Sequence, residues 1–244
     1  METENRPKGG TLCRGVRPWN SLHVFLALAL VGGMLEAFTY LLHGGVFCNA
    51  QTGNLVLFLF RLVEGETAEA LPHLYAVLSF AAGVCFSAFL PWVIRSEVRY
   101  PVVAAAELLC FVAIFFIPDG APDWCTYVVA SFLFAVQYNT FTDCGDVTVS
   151  TTFCSNNIRQ TIVLAMGGLR GHDRHKLKKS AVYGGVILAF AAGAAVGALI
   201  VRWAGKYVLF FSAVPMLFVL VCLLVRPRGG APRGGEQSAA PSAH

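Results

Sequence analysis

The residues of this chain with chemistry to offer are the polar ones that interrupt its apolar stretches. Glu36 stands seven residues ahead of His43-Gly44-Gly45 in an otherwise apolar run. A carboxyl group at that depth must be paired, protonated or turned toward a cavity. It is therefore a candidate proton carrier, or half of a buried pair with Arg159 or Arg61. Shortly afterwards comes Asn49-Ala50-Gln51-Thr52-Gly53-Asn54, which opens a second apolar run. Thr52 has the side chain to cap a helix beginning near Gly53, and Ser155 has it for a helix beginning near Asn156. A helix that starts inside a membrane points free N–H groups and a partial positive charge at the interior, a common way to build an ion or solute site. Asn54, Asn156 and Asn157 would add amides, and Thr39 and Thr142 hydroxyls, with Asn139 and Arg159 close in sequence to the second set. The plainer alternative is a turn with a cap at the membrane surface. Glu107, Asp143 and Asp146 are secondary candidates, the two aspartates bracketing Cys144-Gly145 in what also reads as an interfacial turn.

No H-E-x-x-H, G-x-S-x-G or phosphate-loop pattern occurs, so the residues point away from an enzyme, and no cofactor is implied. His172 and His175 flank Asp173 in a basic link. A metal there is conceivable, but a solvated loop that meets anionic headgroups is the simpler reading. The eight cysteines show no C-x-x-C pair and are scattered, Cys85, Cys110 and Cys222 within apolar runs, so they read as small apolar fillers.

The elements that would position these groups follow from composition. Only 13% of the 244 residues are charged and 56% are hydrophobic, with a mean hydropathy of +0.63. Soluble domains carry about a quarter charged residues. The net charge of +4 is concentrated in links and tails, a pattern of membrane flanks rather than of a nucleic-acid-binding face. Apolar segments run at 21–43, 46–63, 73–94, 100–117, 124–142, 149–168, 180–201 and 206–225. Six of these suit a membrane-crossing helix of about 20 residues. The second and sixth are too polar at their front ends. The first run follows basic residues but lacks a small-residue cleavage site, so it reads as a retained span. Residues 1–19 and 226–244 read as disordered cytoplasmic tails, and 20–225 as the membrane domain.

A shift of 103 residues lays Glu36 on Asn139, Val46 on Val149, Thr52 on Ser155 and Asn54 on Asn157, and superimposes the third and fourth segments on the seventh and eighth. Two related halves, about 20–118 and 123–225, are expected. Glu107 has no polar counterpart, since the shift lands on Phe210. If the second and sixth segments enter and return, six spans remain, the halves are inverted, and Arg95 and Arg99 face the cytoplasm together with both tails. If both cross, there are eight spans and parallel halves. Arg202 and Lys206 fall on the outer side either way. Gly185, Ala189, Gly193 and Gly197, like Ser79, Gly83 and Ser87, recur every four residues and predict close helix seams, between the halves or between subunits of a homo-oligomer.

Gly32-Gly33-Met34-Leu35-Glu36-Ala37-Phe38-Thr39-Tyr40 followed by Asn49 to Val56 resembles the YoaK family of bacterial membrane proteins, built on a domain of unknown function numbered 1275. Val136-Gln137-Tyr138-Asn139 and the stretch from Thr151-Thr152 to Asn157 extend the likeness to nearly all of 20–225. The chain carries Glu36 where members tend to carry Asp, and its second counterpart of Thr52-Gly53-Asn54 lacks the glycine. The resemblance implies a multi-span protein of the inner membrane, often described as a transporter, with no substrate assigned. The residues and the resemblance together give an all-α polytopic membrane protein with six full spans plus two short or discontinuous segments, eight spans being the alternative. The expected function is a secondary transporter or permease of a small solute or ion, proton-coupled through Glu36. A noncatalytic membrane scaffold or assembly protein is the alternative.

Overall fold

The computed structural model describes residues 17–118, 120–151 and 154–225, so most of both tails, Asp119 and Thr152 lie outside it. Regular structure begins with a 3₁₀ turn at Pro18–Asn20, just ahead of the expected boundary, where Trp19 stacks on Tyr100 with ring centroids 5.0 Å apart. Among the described residues eight α-helices follow: α1 (Leu22–Leu42), α2 (Gln51–Val63), α3 (Thr67–Val93), α4 (Ser96–Phe115), α5 (Trp124–Thr140), α6 (Cys154–Arg170), α7 (Arg174–Ala204) and α8 (Val208–Leu224). A small hairpin, β1 (Asp143–Cys144) paired with β2 (Val147–Thr148), lies between α5 and α6.

Stretches long and apolar enough to cross a bilayer are α1, α3, Glu97–Phe115 and the α7–α8 region, Arg174–Leu224. α3 and α7 start six residues ahead of the apolar runs that announced them. Their first turns are polar, and α7 is capped: the Asp173 carboxylate accepts the backbone N–H groups of His175 (2.9 Å) and Lys176 (3.2 Å). The outward faces are apolar. Trp92 and Trp203, 80% and 85% exposed at the ends of α3 and α7, suit the two interfaces of a bilayer.

Helix directions follow from the seams. α3 runs parallel to α5, since Ser79 bonds the Val128 carbonyl, Gly83 abuts Phe132, and Ser87 receives the Asn139 amide. α7 runs parallel to α1, with Gly185 against Leu26, Gly193 against Leu30 and Gly197 against Met34. A Cβ at Gly33 or Gly193 would collide with backbone of the facing helix, so only glycine allows this approach. α1 and α5 are antiparallel: His43 after α1 meets Asp123 before α5 at 2.8 Å, while Asn20 before α1 bonds Gly145 in the hairpin after α5. α4 and α8 pack on each other and close the bundle, α4 against α5 and α8 against α1. The small-residue faces are thus used on seams between the first and second parts of one chain.

These directions decide what the second and sixth segments do. α1 ends where α3 begins, at one end of the bundle. Gly44 and Gly45, at φ of 71° and 69°, reverse the chain there. Residues 46–50 descend beside α1 in non-helical form, and α2 climbs back to a turn at Gly65, which joins it to α3. At the opposite end the chain leaves the β-hairpin, dips through 149–151, and returns along α6 to α7. Each polar segment enters and leaves at the same end of the bundle.

Candidate functional site

Non-helical backbone inside a bundle needs partners for every N–H and C=O. The polar motif of the first half supplies them. Glu36 on α1 accepts the backbone N–H of Asn49 (2.8 Å) and the Cys48 thiol (3.2 Å) on Oε2, and the N–H of Ala50 (3.0 Å) on Oε1. Asn54 accepts the Phe47 N–H at 3.0 Å and donates to the Phe47 carbonyl at 2.7 Å, copying a strand pairing with one side chain. Its amide also donates to Gln51 Oε1 at 2.9 Å, and its Oδ1 lies 3.3 Å from His73 Nδ1. Gln51 donates to the Cys48 carbonyl (2.8 Å) and Asn49 to the Gly32 carbonyl (3.3 Å).

The second half repeats part of this. Asn157 donates to the carbonyl of Ser150 at 2.6 Å, seven residues back, as Asn54 does to Phe47. A buried chain does related work: with its amide N–H₂ toward the carboxyl, Gln137 donates to Glu107 Oε2 (2.8 Å) and Oε1 (3.1 Å), and its oxygen accepts from Thr151 (3.2 Å). The Tyr183 hydroxyl donates to the Thr148 carbonyl at 2.9 Å.

The first turns of α2 and α6 converge on one cavity of about 380 Å³. Ala50, Thr52 and Gly53 line it from the α2 side, Cys154 and Ser155 from α6. Glu36, Phe47 and Phe190 form the rest of its wall, and the cavity stays open on the side where Thr52 and Ser155 are exposed. Thr52 and Ser155, counterparts under the 103-residue shift, therefore face the same space.

Of the residues expected at a site, the fold brings Glu36, Thr52, Gly53 and Ser155 together. Asn54 and Asn157 are buried and hold backbone instead. α2 begins at Gln51 and its N-cap is Ala50, without a side-chain cap, so Thr52 does not cap it. Ser155 lies inside α6, at its second residue, and does not precede the helix. Arg61 is bound by Glu66, with Glu69 at 3.3 Å and Glu64 at 3.8 Å, and is not the partner of Glu36. Arg159 and Asn156 are exposed on α6 and do not line the cavity. Thr39 bonds back to the Glu36 carbonyl at 3.4 Å, and Asn139 belongs to the α3–α5 seam.

Asp143 and Asp146 serve the hairpin. Asp143 accepts from Thr148 at 3.0 Å, and Asp146 pairs with Lys179 at 3.0 Å and His175 at 3.1 Å. The Lys179 ammonium holds the Asp146 carboxyl below the usual carboxylate range. With Asp173 capping α7 and His175 turned to Asp146, the His172–Asp173–His175 stretch is not a metal cluster, and none is found among the described residues.

Sequence reasoning did not assign Phe47, Cys48, Asn49, Cys154, Gln137 or Phe190. Asn49 lay within the quoted polar motif, and Gln137 within the stretch that carries the family likeness. Nothing in the sequence marks Phe190, which reaches the cavity from a seam helix.

A helical chain with bilayer-length apolar stretches, whose breaks are held largely by its own side chains, is a helical membrane protein. It belongs to the family described as protein of unknown function (DUF1275), whose profile matches residues 24–222. Neither a curated protein nor a solved structure matches the chain.

Proposed function

We propose that the protein is a permease or secondary transporter of a small solute. It would have six membrane crossings, two inverted related halves and both termini in the cytoplasm of a bacterial cell. The observation that carries this is the single cavity on which two dipping helices converge from opposite ends of the bundle. A site at the middle of two oppositely directed units is what alternating access requires. Antiparallel α1 and α5, the paired seams and the shared Asn-to-carbonyl bond support the inverted arrangement. The role is not enzymatic and uses the bilayer as its one obligatory partner.

Proton coupling belongs to Glu36, the one carboxyl on the cavity wall, with Cys48 and Cys154 the titratable groups beside it. Protonation would remove the charge that draws the Asn49 and Ala50 N–H groups and would release the dipping backbone. The scaffold reading has one observation in its favour: most polar groups of the motifs are engaged in holding backbone. Flux separates the two. Proteoliposomes should pass a small solute faster than protein-free vesicles, with a rate that changes with pH and loses that dependence in Glu36→Gln. Folded protein without flux would leave the scaffold. Impermeant thiol labelling of Glu64→Cys, in a background lacking the native cysteines, should succeed from outside intact cells. Labelling only after lysis would sink the six-crossing arrangement.

A further inference from the structure

The charge balance around the cavity restricts what can occupy it. Two helix N-termini contribute about half a positive charge each. Against them stands one carboxylate, Glu36, and both of its oxygens act as acceptors, the bonding pattern of the ionised form. The fields nearly cancel. None of the described lining residues is basic, so an anion would find no side-chain counter-charge. A cation would have to compete for Glu36 with the three donors it already holds. An ion of either sign would find no free side-chain counter-charge to offset the water it sheds on entering.

What the wall does offer is hydrogen bonding at two places and apolar surface between them. Thr52 and Ser155 each present a hydroxyl that can donate or accept. Phe47 and Phe190 present ring surface, and Phe47 is fixed by stacking on Tyr40 with centroids 4.6 Å apart. At about 30 Å³ for each water in the liquid, the cavity has room for roughly a dozen waters or a solute of similar bulk.

From this pairing of hydroxyls and rings around a field-neutral space, we infer that the cavity takes a small uncharged solute bearing hydroxyl or amide groups, held between Thr52 and Ser155 with its carbon face on Phe47 and Phe190. The inference rests on the permease reading.

The test is osmotic swelling of proteoliposomes in urea, glycerol and xylitol, set against potassium gluconate and choline chloride. The protein should raise uptake of at least one uncharged osmolyte tenfold or more over protein-free vesicles, and of neither salt. Thr52→Val with Ser155→Ala should cut that uptake at least tenfold while the melting temperature stays near that of the parent. In a variant keeping Cys154 alone among the cysteines, with Cys48→Ser to preserve a donor to Glu36, the permeating osmolyte should slow modification of the Cys154 thiol. Uptake of gluconate or choline without the uncharged osmolytes would overturn the solute class and leave the permease standing. Folded protein that passes none of the five would overturn both.

Discussion

The two dipping segments start from related sequences and are fastened by different means. In the first, a carboxylate from the preceding helix receives two backbone N–H groups and a thiol, and Asn54 pairs with both polar groups of Phe47. In the second, Asn157 makes its bond to Ser150 while its own Oδ1 is left without a partner, and the nearby carboxyl, Glu107, acts only through Gln137 and Thr151. The lesson concerns charge. Hydrogen bonds to an ionised group contribute about 1.5–3 kcal/mol, roughly twice those between neutral groups. Among the described residues, the first segment is therefore the one held directly by an ionised group, and the second by neutral groups and through Gln137.

The comparison breaks hardest at what both halves share. Gly193→Leu would drive a side chain into the backbone of Leu30, and Gly83→Leu into that of Phe132. Each should cost about 3 kcal/mol or more and abolish the monodisperse peak in detergent. If only one does, the two seams are not equivalent.

Glu36→Gln is expected to cost about 2–3 kcal/mol, because its new N–H₂ would face a backbone donor. Glu107→Gln should cost within about 1 kcal/mol, since Gln137 can turn its amide to match. Equal losses of melting temperature would show that the second carboxyl carries as much as the first. For the asparagines, Asn54→Ala should cost about 2 kcal/mol and Asn157→Ala about 1 kcal/mol, read by chemical or thermal unfolding in detergent. The reverse order would show that Asn157 holds its segment more tightly than Asn54 does.

The smallest effect concerns the link after the second segment. The N–H of Lys176, and next that of His175, hold the Asp173 carboxyl below its usual range. Its contribution is therefore present above the unfolded value and lost as pH falls through the lower folded one. Asp173→Ala should lower the melting temperature by about 2 °C or less at pH 7. That difference from the parent should begin to shrink as pH falls below about 4 and vanish only below the lower folded value. A difference that persists in acid would mean that the residue acts otherwise than as an ionised cap.

Much of the fold was legible because lipid imposes simple rules. The helical segments, the anomalous character of 46–63 and 149–168, and the close seams at Gly83 and Gly193 all come from apolar length and small-residue spacing. The site was legible only in part. Thr52, Gly53, Ser155 and Glu36 are flagged by being polar within apolar runs, and they do share a cavity. Thr39, Asn139 and Arg159 were flagged on the same ground, yet they bond within a helix, bond across a seam or face outward. Polarity at depth says that a group needs a partner, not which partner it has.

By itself the sequence determined that the chain lives in a membrane, which stretches are helical, and where the backbone must break, because each of these follows from local composition and the cost of unpaired polar groups in lipid. Only the tertiary structure decided that Glu36 binds the Cys48 thiol and the backbone N–H groups of Asn49 and Ala50 instead of an arginine, and that Phe190 reaches a cavity assembled around two helix starts 103 residues apart. Such pairings depend on helix direction and register. These are set by packing between distant segments, on which local composition is silent.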